Sequence, residues 1–370
     1  MIHMELKHSN YVLGLDRSGD VLQYKKVSLD EQGEPVIEDI EGPVSAIIEV
    51  TNRCNLECVI CLNNSGPAVD NTMLSFEKIC DIIDELHAMN TTGISLSGGE
   101  PFLRNDIFEI FEYARTRLPV TFSTNGTLLT NEMVQRLCED GLAGIIIALH
   151  SCIPSVHDAM TRVKGSFQKA LSAVEMCLDA GVNCVTNMTL TQMNSSTMDE
   201  TIDFVLNLGC DMVINKFLPI GRGKKNQAKL NLSLEEYRRV VIHLYERKKE
   251  LRDQMDLQVG HIPYESLLAN EKYFSGCDAG INVCKITPSG DVHTCQFMPF
   301  SIGNIFEQSF SDLWRESPSP LLTRLRTRSG LKGACAACKY TDLCGGCRAS
   351  AYAYTGDFME ADPYCFIRTS

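Results

Sequence analysis

The sequence predicts an α/β fold, a partial (β/α)6 TIM-like barrel followed by a cysteine-rich C-terminal domain. Three observations carry that prediction. From Ser45 to about Lys216, short apolar runs alternate with helical patterns, and near-continuous apolar strands suit a parallel sheet covered on both faces. Behind the first run, Cys54, Cys58 and Cys61 stand at CxxxCxxC spacing, and Gly98-Gly99-Glu100-Pro101 follows the second. Eight more cysteines crowd the last quarter of the chain.

In chain order, residues 1–43 hold two strand-like pieces, Tyr11 to Leu15 and Val21 to Tyr24, joined through Asp16 to Asp20. They read as a small hairpin that covers or docks, since two strands alone build no core. The barrel, over 44–232, contributes the runs Ala46 to Val50, Gly93 to Ser97, Pro119 to Ser123, Gly144 to Leu149, Val182 to Leu190 and Asp211 to Asn215. Between the first two, Ile79, Ile82, Ile83, Leu86 and Met89 repeat at helical spacing behind a cap at Ser75. Six such units put an active site at the C-terminal ends of the strands. A glycine and lysine loop, Pro219 to Asn226, precedes Ser233-Leu234-Glu235-Glu236, a capping box that opens a long helix. Residues 233–276 read as a helical linker and 277–370 as the second domain.

With 370 residues, 44% of them hydrophobic, the chain has the material for about two to three domains. Its net charge of −13, from 34 basic and 47 acidic residues, argues against nucleic acid as a partner, because tracking phosphates takes a basic patch. The opening Met1 to Lys7 lacks the pattern of a signal peptide, and no run of apolar residues is long enough to span a membrane. A cytoplasmic location is expected. Thiols stay reduced there, so 17 cysteines point to metal binding rather than to a disulfide scaffold.

Three thiolates on one short loop hold three irons of a 4Fe-4S cube and leave the fourth open to a small molecule. The competing reading, structural zinc, needs four closed ligands, yet no histidine lies between Cys54 and Cys61. On this triplet and the GGEP turn, the chain resembles the radical S-adenosylmethionine (SAM) superfamily. In the last quarter Cys277, Cys284, Cys295, Cys335, Cys338, Cys344, Cys347 and Cys365, with Gly290 to Cys295, CxxC at 335–338 and CGGC at 344–347, resemble the SPASM extension of that superfamily. Two structural zinc sites are the alternative on spacing alone.

The resemblance implies three 4Fe-4S clusters and SAM as cofactors. By the family pattern, Cys277, Cys284, Cys295 and Cys347 ligate the cluster nearer the substrate, and Cys335, Cys338, Cys344 and Cys365 the outer one. CGGC is shorter than the spacing of many members. Six cysteines remain, Cys80, Cys138, Cys152, Cys177, Cys184 and Cys210, which read as small core residues. For SAM, the resemblance implies that Gly98 and Gly99 let backbone approach the ligand, that Glu100 accepts from its ammonium, that Ser123 and Asn125 touch the ribose, and that Arg162 meets its carboxylate. The reduced cube then splits the sulfonium bond to a deoxyadenosyl radical. His150, at a strand end, is a candidate for proton transfer or a structural histidine.

Substrate is less legible. Sulfatase maturases carry an aspartate base after the cysteine of the glycine motif, where this chain has Gln296, an amide that accepts no proton. CGGC-Arg348-Ala349 and the ending Asp362-Pro363-Tyr364-Cys365 look like the tetrapyrrole-modifying branch. The leading expectation is oxidative crosslinking or similar modification of a small peptide, with the auxiliary clusters accepting an electron and a flavodoxin- or ferredoxin-type donor supplying the low-potential one. Redox-neutral epimerisation or dehydrogenation of a sugar or peptide, and tetrapyrrole side-chain modification, are the alternatives. A non-enzymatic iron–sulfur carrier would need neither GGEP nor SAM.

Overall fold

Ten strands form one sheet in a computed structural model that describes residues 2–5, 11–18, 21–29, 35–69, 72–260, 276–316 and 318–367, with side chains from Ile40 onward except at 342 and 343. Ahead of it, β1 (Ile2–Glu5), β2 (Tyr11–Ser18), β3 (Val21–Leu29) and β4 (Pro35–Asp39) make a separate antiparallel sheet in that order. The expected hairpin is therefore the centre of a four-stranded sheet, with Ser18 paired to Val21. The extra strands pair the outer edges that a bare hairpin leaves open.

The large sheet begins with β5 (Ser45–Thr51), β6 (Gly93–Gly98), β7 (Val120–Thr124), β8 (Gly144–Ala148), β9 (Cys184–Leu190) and β10 (Asp211–Lys216), all parallel neighbours. These are the six predicted runs. Helices cover their outer face, where Ile48, Leu96, Phe122, Ile147 and Met188 are buried. The helix Phe76–Ala88 starts as read from the sequence: Ser75 caps it by accepting from the Lys78 N–H, and Ile79, Ile82, Ile83 and Leu86 form its buried stripe. The capping box at Ser233 and Glu236 opens the helix Leu234–Leu251.

Two additions extend the barrel beyond six strands. β11 (Leu257–Gly260), inside the stretch read as a helical linker, pairs in parallel with β10. Its four residues alternate buried Leu257 and Val259 with exposed Gln258, a pattern too short to stand out beside an 18-residue helix. Beyond β5, β12 (Val283–Ile286) pairs in parallel, and β13 (Asp291–His293) and β14 (Ser301–Asn304) continue antiparallel. The cysteine-rich segment thus shares hydrogen bonds with the first barrel strand and satisfies its edge.

Candidate active site

A cavity of about 240 Å3 opens at the C-terminal ends of the barrel strands. Strand alternation builds its wall, since residues between the outward-packing ones face the lumen. Glu49 on β5, Ser97 on β6, Ser123 on β7, Ala148 on β8, and Asn187 and Thr189 on β9 line it, together with Cys54, Cys58 and Cys61. The lining is mixed: the polar Glu49, Ser97, Ser123, Asn187 and Thr189 stand beside the aliphatic Ile47, Leu56, Ile60, Leu62 and Ile146.

Close backbone packing seats the cysteine loop against the glycine pair. The Gly99 N–H donates to Thr51 O and the Glu100 N–H to Arg53 O, each at 2.8 Å. A Cβ on Gly99 would lie 1.9 Å from Arg53 O, and one on Gly98, at φ +127°, 2.3 Å from Thr51 O. Only glycine lets the end of β6 run this close to the residues leading into Cys54. From the far side of the barrel, Arg222 donates to Cys58 O at 3.0 Å, Ser65 O at 2.7 Å and Asn64 O at 3.2 Å. Its own N–H donates to Cys61 O at 2.9 Å. The glycine and lysine loop that marks a boundary in the sequence is thus a clamp on the cysteine loop.

Glu100 sits behind the wall, 0% exposed. Its carboxylate accepts from Thr124 Oγ1 at 2.7 Å, the Asn125 N–H at 2.8 Å and the Phe102 N–H at 3.2 Å. Burial raises its pKa to about 7 against those donors. These three donors tie the Glu100 carboxylate to the β7 turn. Asn125 in turn reaches Cys54 Sγ with its Nδ2 at 3.7 Å and Asn55 Oδ1 at 2.8 Å.

The other predicted positions separate. His150 lines the cavity, and its Nδ1 accepts from the Thr189 N–H at 3.4 Å. Burial, then the adjacent His157, depresses its pKa to about 3, which keeps the ring neutral. Gln296 lines the same cavity. Arg162 is an exposed residue in the left-handed region, at φ 62°, capping a helix outside the lining. One pair went unread in the sequence: Glu49 lies 3.4 Å from Lys285 Nζ of β12 and accepts from Asn63 Nδ2 at 2.5 Å. Only the β5–β12 pairing brings Glu49 and Lys285 together.

Burial pushes the Cys54 thiol up to about 11 and the Cys58 thiol up to about 12. No lysine or arginine compensates a thiolate there strongly enough to reverse this, so a metal centre fits as the countercharge; a coordinating thiol is deprotonated outright. A second cavity of about 160 Å3 is lined by Cys335, Cys338, Cys344 and Cys365. Of the remaining four, Cys277 interacts electrostatically with Cys295 and Cys347, while Cys284 is fully buried on β12.

Residues 48–205 match the family model of the radical SAM superfamily, and residues 277–347 that of an iron-sulfur cluster-binding domain, SPASM. The AdoMet-dependent heme synthase of Methanosarcina barkeri is 32% identical over 86% of this chain and 95% of its own. The chain belongs to the radical SAM superfamily. Another relative of this radical SAM protein, the mycofactocin maturase MftC of Mycolicibacterium smegmatis, is 33% identical over 88% of the chain and 83% of its own. Among solved folds, Streptococcus suis SuiB bound to S-adenosylmethionine superposes with a TM-score of 0.72 at 18% identity, covering 90% of this chain and 78% of that one.

The radical SAM protein is an enzyme of oxidoreductase type, and its two domains imply iron–sulfur clusters and SAM as cofactors. The residues present fit them: three buried or half-buried thiols and a glycine pair share one cavity. Among the described residues, no helix is long and apolar enough to cross a membrane. The role of Arg222 carried one sequence signal, the Gly221-Arg222-Gly223 run: a Cβ on Gly221 would lie 2.2 Å from Leu62 O.

Proposed function

We propose that this enzyme oxidatively modifies a small peptide, using three 4Fe-4S clusters. Cys54, Cys58 and Cys61 hold the cluster that binds SAM. Cys277, Cys284, Cys295 and Cys347 hold a second, and Cys335, Cys338, Cys344 and Cys365 a third. The single observation that carries the reading is the shared cavity. Its wall joins the cysteine triplet and Gly98-Gly99 of the barrel to Gln296, the neighbour of Cys295 in the SPASM domain. A substrate bound there lies between the SAM site and an auxiliary ligand set.

When bound, the SAM-ligated cluster supplies a one-electron cleavage that yields a radical able to remove a substrate hydrogen. The chain's own residues orient and shield. Gly98 and Gly99 seat the cysteine loop and line the cavity with backbone, Ser123 and Asn125 present polar groups at the β7 end, and Asn125 donates toward Cys54 Sγ. His150, neutral and hydrogen-bonded to β9 through Nδ1, keeps its proton on Nε2 and serves as a fixed donor rather than a base. Arg222 holds the cysteine loop closed against water. A flavodoxin- or ferredoxin-type protein supplies the electron.

Peptide chemistry is supported by the mycofactocin maturase relative and by the likeness to SuiB, which has been solved bound to its precursor peptide SuiA. Epimerisation needs a thiol to return a hydrogen atom, and none of the six spare cysteines lines the described cavity. Tetrapyrrole side-chain modification stands as the second reading because of the heme synthase relative. The anaerobically reconstituted enzyme, SAM and a strong reductant, incubated separately with short peptides encoded beside the gene and with an iron porphyrin, discriminate them. A peptide product lighter by two hydrogens supports the proposal. Deoxyadenosine formation coupled only to loss of porphyrin carboxyl groups sinks it.

A further inference from the structure

Besides Lys285, which is paired with Glu49, two buried cations, Lys216 and Arg348, stand among the C-terminal cysteines, and their charges are met differently. Lys216, at the end of β10, has its Nζ 3.8 Å from Asp362 Oδ1 and donates to Ser350 Oγ at 2.9 Å. Its charge therefore has a carboxylate. Arg348, only 3% exposed, forms no ion pair among the described residues. Its guanidinium donates to Gly346 O at 3.2 Å and to Phe358 O and Glu360 O at 2.8 Å. The remaining donor, Nη2, points to Cys335 Sγ at 3.5 Å.

Carbonyl dipoles orient a guanidinium but carry no net charge, and an isolated buried ion is costly. The nearby Asp362, whose N–H donates to the same Cys335 Sγ at 3.5 Å, has its carboxylate paired with Lys216, which leaves the compensating negative charge to the sulfur side. A second, independent observation concerns Gly346, at φ +64°. A Cβ there would lie 2.7 Å from Arg348 Nη2 and 2.9 Å from Cys335 Sγ. The second glycine of CGGC thus keeps open the space in which guanidinium meets sulfur, which accounts for a glycine at that place in the motif.

We propose that Arg348, seated by Gly346, is the counter-ion of the iron–sulfur centre that Cys335 helps to hold, and that it raises that centre's reduction potential. The inference rests on reading Cys335, Cys338, Cys344 and Cys365 as one ligand set. Reduction adds negative charge, so a fixed cation hydrogen-bonded to a ligating sulfur favours the reduced form; net charge and hydrogen bonds to sulfur are the levers that set such potentials. Arg348 acts on the centre through charge and position, without touching substrate.

The test uses the full-length, anaerobically reconstituted protein with Arg348→Gln and Arg348→Lys variants, iron counted per chain, and redox-poised electron paramagnetic resonance. In Arg348→Gln one centre is expected to lose about tenfold in its reduction equilibrium, about 59 mV for a one-electron couple, at unchanged iron content. Arg348→Lys is expected to stay near the parent. Full iron with unshifted potentials in Arg348→Gln overturns the proposal. If Arg348→Gln sheds one centre, its retention in Arg348→Lys supports the charge role, and its loss in both overturns it in favour of packing. A Cys335→Ser variant separates the two levels: unchanged iron content there refutes the ligand set itself.

Discussion

Gly99→Ala tests the contact that joins the glycine turn to the cysteine loop. The new Cβ would lie 1.9 Å from Arg53 O and 2.4 Å from Arg53 C, where ordinary contact begins near 3.4 Å. The obstacle is backbone, one residue before Cys54, so no side chain can swing away. Either β6 or the loop must shift by about 1.5 Å to carry the 1.9 Å approach out to the 3.4 Å of ordinary contact. That shift breaks the two 2.8 Å bonds from Gly99 N–H and Glu100 N–H, worth roughly 1–3 kcal/mol together. Overpacking adds about 1–3 kcal/mol. Cys54 moves with its neighbour, so the variant is expected to lose the iron of the N-terminal site and the spectral response to SAM, while the C-terminal centres stay loaded. Iron analysis and absorption spectra after anaerobic reconstitution measure both. Gly165→Ala is the control: no atom lies within 4 Å of its new Cβ, and only φ +82° opposes it, at roughly 1–2 kcal/mol. Full iron content and an unchanged SAM response in Gly99→Ala would refute the packing argument.

Three further outcomes are expected. Glu100 is held at a pKa of about 7 by burial, above its ordinary 4.5. Between those values the unfolded chain has released this proton and the folded one has not, so this group's contribution to stability falls as pH rises through that window, by roughly 3 kcal/mol in all. Urea midpoints of the parent and Glu100→Gln should diverge across it, and parallel pH profiles would contradict the assignment. Arg222→Ala removes three bonds to loop carbonyls, so amide exchange over residues 58–66 should accelerate; unchanged rates mean that the loop is held otherwise. Lys216→Met leaves Asp362 without its cation, a loss of about 3–5 kcal/mol for a broken buried pair. Adding Asp362→Asn should recover part of the lost thermal stability, and a double variant no better than the single one counts against the pair.

Much of this enzyme was legible in one dimension because its signals are local. The six barrel strands carry their own apolar runs, the helix caps at Ser75 and Ser233 depend on residues three apart, and the cysteine triplet lies on one loop. Local spacing suffices wherever the interacting groups are chain neighbours. Spacing alone does not give the placement of Arg162, which is exposed and forms the left-handed cap of the helix Pro154–Thr161, outside the cavity lining.

Tertiary structure alone decided the rest. Glu49 and Lys285 are more than two hundred positions apart, and only the parallel pairing of β5 with β12 makes them an ion pair. Arg222 becomes a clamp because the end of β10 returns beside the cysteine loop. In the sequence Arg348 is only part of the CGGC-Arg348-Ala349 stretch; the fold buries it and leaves a sulfur within reach. The reason is common to all three. Composition and spacing specify which groups exist and which lie along one element, but charge compensation depends on distance and dielectric, and both arise only when distant segments close on each other.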